Sequence, residues 1–174
     1  MSVTLNKKSR SIYIVGEVTD LMATSFLRKL KVLESTKGII KVFINSVGGD
    51  TYAGLAIVDA ITTSSKPVHT IAYGKVMSAA TIILAAGKKR FSYPNVDIMV
   101  HKGSYKVKAD YTEMMGAEYS WIMKTEARYS NILESLTNKP KGYWEALWKD
   151  HSFYITPDEA LKHNLIDEVI NVKI

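Results

Sequence analysis

The chain has 174 residues, of which 47% are hydrophobic and 23% charged, and these values are typical of one globular domain. It contains no cysteine, which excludes disulfide frameworks and zinc–thiolate sites and agrees with a reducing compartment. The formal net charge is +6, but the basic residues are scattered and accompany no nucleic-acid-binding motif, so we expect a solvated basic surface and no nucleic-acid partner.

The first part of the chain alternates short β-rich runs with amphipathic segments. The run at 79–86 is apolar on nearly every side, which predicts a buried helix. This βαβα alternation predicts an α/β fold with parallel strands covered by helices. In chain order, the predicted elements are strand 11–15, helix 20–33, strand 39–45, helix 51–63, strand 68–73, helix 79–86, and strands 90–93 and 97–100.

A long helix is predicted over residues 110–136, and it carries two apolar stripes. One stripe faces its own domain, and the second favours contact with another subunit; burial of the whole helix within one domain is the alternative. A proline-containing cap at 156–159 then predicts a short helix over 157–163, followed by a strand over 166–172. The stripes are Met115, Ile122, Tyr129 and Leu136 in one row, and Met114, Trp121 and Ile132 in the other.

Two turns could hold reactive groups. The glycine pair Gly48-Gly49 lies between a predicted strand and helix, where backbone N–H groups can approach a ligand, although a plain turn has the same pattern. Ser78 begins the apolar helix, where nearby N–H groups could stabilise an oxyanion and the small Ala79 leaves room for a substrate. A simple capping serine is the alternative at that position.

His101 ends an apolar predicted strand, and strand ends are where α/β folds present functional groups. A structural histidine is the alternative. No histidine pair has the spacing of metal ligands, so we expect neither a metal nor a cofactor. The polar N-terminus and the lack of an apolar run near 20 residues predict a cytoplasmic protein without a membrane partner.

Taken in order, these patterns resemble the proteolytic subunit of the Clp protease over residues 12–170. The segment INSVGG at 44–49 is similar to the family's INSPGG, and GKVMSAA at 74–80 is similar to its GQAASMG. IMVH at 98–101 matches the family's Met-Ile-His, and TPDEA at 156–160 with LID at 165–167 resembles its C-terminal motifs. The short, divergent sequence suits a phage- or virus-encoded member, or an accessory subunit.

The resemblance implies one peptidase domain over residues 1–174, with the ClpP/crotonase-like fold of repeated ββα units and a protruding long helix. It implies a serine endopeptidase with Ser78 as nucleophile and His101 as base. The backbone N–H groups of Gly49 and Ala79 would form the oxyanion hole. For the triad acid, an alignment without a gap points to Ser152, whereas the nearby carboxylate Asp150 requires a two-residue bulge.

The family also implies partners. Its subunits form two stacked seven-membered rings around a chamber, so we expect a tetradecamer that degrades unfolded polypeptides, with a Clp-type AAA+ ATPase as unfoldase. The aromatic docking groove for that ATPase keeps Phe43 but has Lys41 and Thr63 at other positions. Downstream of the base, Lys102-Gly103 replaces the family's Gln-Pro, and the glycine-rich substrate-binding strand is replaced at 104–108.

Other functions share parts of this pattern. A non-catalytic ring subunit that assembles with an active peptidase is the main alternative, because the acid position is ambiguous. An acyl-CoA enzyme of the crotonase type shares the fold but needs no Ser-His pair. A Ser-Lys signal-peptide peptidase is related in fold, and the absence of a membrane segment together with His101 disfavours it.

Overall fold

The computed structural model describes residues 2–103, 112–149 and 152–171. Eight strands and six helices are found in these ranges. In chain order they are β1 (Ser2–Asn6), β2 (Ser11–Val18), α1 (Asp20–Glu34), β3 (Ile40–Gly49), α2 (Thr51–Thr62), β4 (Val68–Met77), α3 (Ala79–Ala85), β5 (Lys89–Ser92), β6 (Asp97–Val100), α4 (Thr112–Thr137), α5 (Tyr143–Leu147), β7 (Phe153–Ile155), α6 (Pro157–Lys162) and β8 (Glu168–Val169).

The strands of the described residues form one sheet in the order β1-β2-β3-β4-β5-β8. The central pairs are parallel, as predicted, whereas β1 pairs with β2, and β7 with β6, in antiparallel fashion. Strand β4 is longer than β5, and its last residues pair instead with β6. The predicted α/β class with parallel strands is therefore confirmed, and β6 lies beside the end of β4 that leads into α3.

Burial alternates along β3. Every second residue of β3 is buried, from Ile40 to Gly48, so one face of this strand packs into the core. Helix α3 is buried at all seven positions, as its apolar sequence predicted. Three elements were not predicted: β1, α5 and β7 are only five, five and three residues long. The predicted strand 166–172 is shorter within the described residues 166–171, where Glu168–Val169 are the residues paired with β5, and residue 172 lies outside the described part of the chain.

Helix α4 is buried unevenly along its length. Towards its C-terminal end it packs on the core through Leu133, with Tyr129 and Leu136 partly buried against the same cluster. Further towards its N-terminal end, Tyr119 is 64% exposed and Trp121 is 50% exposed. Within the described residues, the alternative of a helix buried throughout one domain is therefore wrong, because Tyr119 and Trp121 leave large apolar surface exposed.

Arg90 joins the sheet to the C-terminal region. Its guanidinium donates to the carboxylate of Asp167 and to the backbone carbonyls of Leu136 and Asn164. Burial alone would raise the pKa of Asp167, but the hydrogen bonds and charge of Arg90 outweigh it and hold that pKa below its usual range. This basic residue is therefore engaged in an ion pair and does not contribute to a solvated basic surface.

No helix within the described ranges combines the length and hydropathy that a bilayer-spanning segment requires.

Candidate active site

Pairing between β4 and β6 places Ser78 beside the strand that leads to His101. Met77 of β4 is in register with Met99 of β6, and the next backbone N–H, that of Ser78, donates to the carbonyl of Met99 at 2.8 Å. Because β4 and β6 run parallel, the segments that follow these two strands leave the sheet at the same end. The ladder therefore brings together two residues that are separated by 23 positions in the sequence.

The side chains of Ser78 and His101 form a direct hydrogen bond. The distance from Oγ of Ser78 to Nε2 of His101 is 2.7 Å, within the range expected for a nucleophile and its base. Ser78 precedes α3, but its side chain makes no capping hydrogen bond there. The simple capping interpretation is thus wrong, because the hydroxyl is committed to the imidazole.

The backbone of Ser78 adopts an uncommon conformation that supports this geometry. Its φ of 53° and ψ of −128° lie outside the ordinary regions for a residue with a Cβ atom. Such strain persists only where the surrounding structure imposes it, and it clusters at functional sites. Here the turn from β4 into α3 directs the hydroxyl towards His101 and away from the helix end.

The Gly48-Gly49 turn lies against this strand end. A Cβ atom added to Gly48, whose φ is 86°, would lie 2.6 Å from both the carbonyl oxygen of Met77 and the Cβ of Ser78. The N–H of Gly48 donates to the buried Oγ of Ser46 at 3.0 Å. Gly48 therefore has to lack a side chain where β3 approaches Ser78, whereas a Cβ atom added to Gly49 would meet the backbone of Val18.

We predict that Gly48→Ala lowers kcat/KM by more than about 100-fold, since the new methyl group must displace the backbone at Met77 or Ser78. Steady-state hydrolysis of a short fluorogenic peptide measures this. Gly116→Ala is the matched control, because an added Cβ at Gly116 meets nothing within 4 Å. Wild-type kcat/KM in Gly48→Ala would show that this close approach is dispensable.

Ser78 and His101 open into a cleft of about 260 Å³. One wall is formed by α4, and another by the region around α5. Burial lowers the pKa of His101 below its ordinary value, which favours the neutral imidazole. The lining residues besides this pair include Ala79, Met123, Glu126, Ala127, Tyr129 and Trp148.

A carboxylate also lies in the cleft wall. Burial raises the pKa of Glu126, partly offset by the ammonium of Lys102, which lies 3.6 Å from Oε2 of Glu126. Its Oε1 is buried and has no hydrogen-bond partner among the described residues. Neither Glu126 nor the contact of Tyr129 with the backbone of Ser78 was predicted. The sequence pattern of a helix shows which of its faces is apolar, but it does not show which helical turn lies next to the site.

Asp150 and Ser152 are the two candidates for the triad acid. Asp150 lies outside the described residues. Ser152 lies within the described residues and is partly buried. The hydrogen bond that the imidazole of His101 makes in the described part of the chain is the one to Ser78. In that same part of the chain, no three His, Asp or Glu side chains cluster as metal ligands.

Comparison with known proteins connects this site to a family. The family model described as Clp protease matches residues 2–173. An ATP-dependent Clp protease proteolytic subunit of Deinococcus radiodurans is 35% identical over 170 residues, which cover 94% of this chain and 81% of that protein. The structure is similar to that of an Asn-to-Asp mutant of ClpP1 from Listeria monocytogenes, with a TM-score of 0.86, 27% identity, and coverage of 95% of this chain and 94% of that one.

These matches extend over nearly the whole chain, including every segment on which the resemblance was based. They confirm the predicted fold and the predicted class of enzyme, a serine endopeptidase, and they decide against an acyl-CoA enzyme or a Ser-Lys peptidase. The chain therefore belongs to the Clp protease family.

Proposed function

We propose that Ser78 is the nucleophile of this endopeptidase and that His101 is its general base. The observation that carries the proposal is the 2.7 Å hydrogen bond between Oγ of Ser78 and Nε2 of His101. As Oγ attacks the peptide carbonyl carbon, Nε2 takes the hydroxyl proton and then delivers it to the departing amine. The resulting acyl-enzyme is hydrolysed by water, which His101 activates in the same way.

Two backbone N–H groups would stabilise the negative oxygen of the tetrahedral intermediate. We assign them to Gly49 and Ala79, as the family resemblance implies. The N–H of neighbouring Gly48 is already bonded to Ser46, which favours Gly49 as the donor of the glycine pair. Ala79 lines the cleft and follows Ser78 in the sequence, so its N–H belongs to the peptide bond next to the proposed nucleophile.

Asp150 is our proposed triad acid. A carboxylate beside the second ring nitrogen of His101 would fix the tautomer that accepts the serine proton and stabilise the imidazolium formed during the reaction. Ser152 is the alternative acceptor, and it could orient the ring without offsetting its charge. The proposed machinery is contained in one peptidase domain over residues 1–174.

The main alternative function is a non-catalytic ring subunit, but the paired Ser78 and His101 favour an active enzyme. Purified chain alone, incubated with fluorogenic peptides and with a chemically unfolded protein, tests the choice. We expect hydrolysis of both that stops after reaction with a fluorophosphonate. Intact assemblies that hydrolyse neither substrate and take up no fluorophosphonate would favour the non-catalytic subunit.

We predict that the acid limb of the profile of kcat/KM against pH has its midpoint below pH 6.5. The base must be neutral to act, and burial lowers the pKa of His101 from 6.5, so activity should persist as the pH falls through that value. Rates between about pH 5 and about pH 8 on a short peptide measure the midpoint. A midpoint above 6.5 would contradict this prediction, and it is the result expected if the proposed Asp150 carboxylate raises the pKa of His101 more than burial lowers it.

We propose assembly into two stacked seven-membered rings, a tetradecamer. The exposed apolar stretch of α4, with Tyr119 and Trp121, is a surface that an oligomer would cover. An interior chamber would then enclose the cleft and admit only unfolded polypeptides.

For this assembly we predict that Trp121→Glu separates the rings while the subunit stays folded, because Trp121 is half exposed within its own chain. Light scattering should give the mass of a single ring, and circular dichroism an unchanged helical signal. Lys7→Glu, which places the same charge in an exposed turn, is the control and should keep the wild-type mass. A wild-type particle that scatters as a monomer at micromolar concentration would contradict the assembly.

A Clp-type AAA+ ATPase is the proposed partner, as the name of the Deinococcus relative suggests. In support, Tyr13 stacks on Phe43 with ring centroids 4.9 Å apart, and Phe43 meets Tyr73 edge-on at 6.4 Å. These three partly buried rings form a row across β2, β3 and β4 that could accept an apolar side chain of the ATPase. Cytoplasmic localisation and a phage or viral origin remain predictions from the sequence.

A further inference from the structure

The carbonyl oxygen of Ser78 is held by two hydroxyl groups. Oγ1 of Thr81 donates to it at 2.6 Å, and the phenol of Tyr129 donates to it at 3.1 Å. The two hydroxyl oxygens are themselves 3.0 Å apart, which closes a triangle of three oxygens. The backbone N–H of Thr81 also donates to the same carbonyl, at 2.9 Å.

This triangle determines the direction of a second group. A peptide bond is planar and trans, so the carbonyl of Ser78 and the N–H of Ala79 point in opposite directions. When the two hydroxyl groups fix the direction of the Ser78 carbonyl, they therefore also fix the opposite direction of the Ala79 N–H. Ala79 lies in the wall of the cleft beside Ser78, so the group being held is the N–H assigned to the oxyanion hole.

Without these hydroxyl donors, the Ser78–Ala79 peptide could rotate to relieve the strain in the backbone of Ser78. At the φ of 53°, the ψ of −128° of Ser78 lies outside the left-handed region that a residue with a side chain can adopt, and rotation of the following peptide would change ψ towards that region. Tyr129 comes from α4, a separate element, and its ring packs against Trp148 with centroids 6.1 Å apart. Its phenol is therefore placed by packing that is independent of the turn that it contacts.

We propose that Tyr129 is a positioning residue for the oxyanion hole, acting through the Ser78–Ala79 peptide with Thr81 as its partner. The inference depends on the proposed role of the Ala79 N–H. Tyr129 does not touch the substrate carbonyl; its hydroxyl keeps a donor aimed at the place where negative charge develops. The contribution belongs to the transition state and should appear in kcat more than in KM.

Tyr129→Phe tests the proposal, because it removes the hydroxyl and keeps the ring. We expect kcat on a short peptide to fall about 10-fold with KM changed less than about twofold. Affinity for a peptide boronic acid, whose adduct with Ser78 is tetrahedral, should fall by a similar factor. Tyr143→Phe is the matched control, since its phenol bonds His163 away from the cleft, and it should leave both values unchanged.

Thr81→Val provides a second measurement, because it removes the other hydroxyl donor at nearly constant volume. It should also lower kcat and boronate affinity together, and the double variant should lose more than either single one. Wild-type kcat and boronate affinity in Tyr129→Phe, with Ser78→Ala inactive, would overturn the positioning role and leave the proposed nucleophile standing. Full activity in Ser78→Ala would instead overturn the proposed function itself.

Discussion

Ser78→Ala and His101→Ala should each lower kcat/KM for peptide hydrolysis by roughly 10⁶-fold, the loss expected when one member of a serine–histidine unit is removed. The first variant lacks the atom that forms the acyl-enzyme. The second keeps that atom but loses the acceptor 2.7 Å away that takes its proton. Because the two act as one unit, the double variant should be no slower than either single variant.

The measurement is steady-state hydrolysis of a fluorogenic peptide at matched oligomer concentration. Ser92→Ala and His69→Ala are the controls. Ser92 is a buried serine whose hydroxyl bonds the carbonyl of Tyr93, and His69 lies near the opposite end of β4 from Ser78. Both controls should retain activity within a few fold. Retained activity in Ser78→Ala with loss in Ser92→Ala would contradict the assignment.

Asp150→Asn should lower kcat by about 10⁴-fold if Asp150 is the triad acid, following the serine-protease precedent. An amide can place its N–H or its oxygen towards the ring, but it cannot stabilise the imidazolium with a negative charge. The wrong tautomer of His101 would then be populated, and its Nε2 would carry a proton where it must accept one. The hydrogen bond to Ser78 would persist in the opposite sense.

Ser152→Ala is the paired variant for this test. With Asp150 as the acid, it should change kcat by less than about 10-fold, because a hydroxyl near the ring could only orient it. Large loss in Ser152→Ala together with a nearly silent Asp150→Asn would reject Asp150 and support the gapless alignment. Measured melting temperatures separate this effect from loss of the fold, since both variants should unfold near the wild-type temperature.

The sheet was largely predictable because its strands are short apolar runs separated by amphipathic helices. The bounds of β6 were predicted without error, and those of α1 and α2 within one residue. Strand β1 was missed because its polar and apolar residues give only partial burial, and β7 because three residues carry no period. Short strands such as β1 and β7 form because a neighbouring strand pairs with them, and that pairing cannot be predicted from their own sequence.

The candidate site was predictable in its residues but not in its geometry. Ser78 and His101 follow from motif order, yet their contact depends on the register Met77 to Met99, which no local pattern contains. The positive φ of Ser78 could not be predicted from the sequence either, because serine is common at helix N-caps, where the backbone is usually extended. Tyr129 was assigned to a packing stripe, and only the position of α4 shows that its hydroxyl reaches the backbone of Ser78.

The location of a covalent adduct tests the assignment of Ser78 as nucleophile most directly. The wild-type assembly is treated with a fluorophosphonate, digested, and analysed by tandem mass spectrometry. We expect one phosphonylated residue, Ser78, and much slower labelling in His101→Ala because the hydroxyl then lacks its base. An adduct on any other residue, or labelling that persists unchanged in Ser78→Ala, would contradict the assignment.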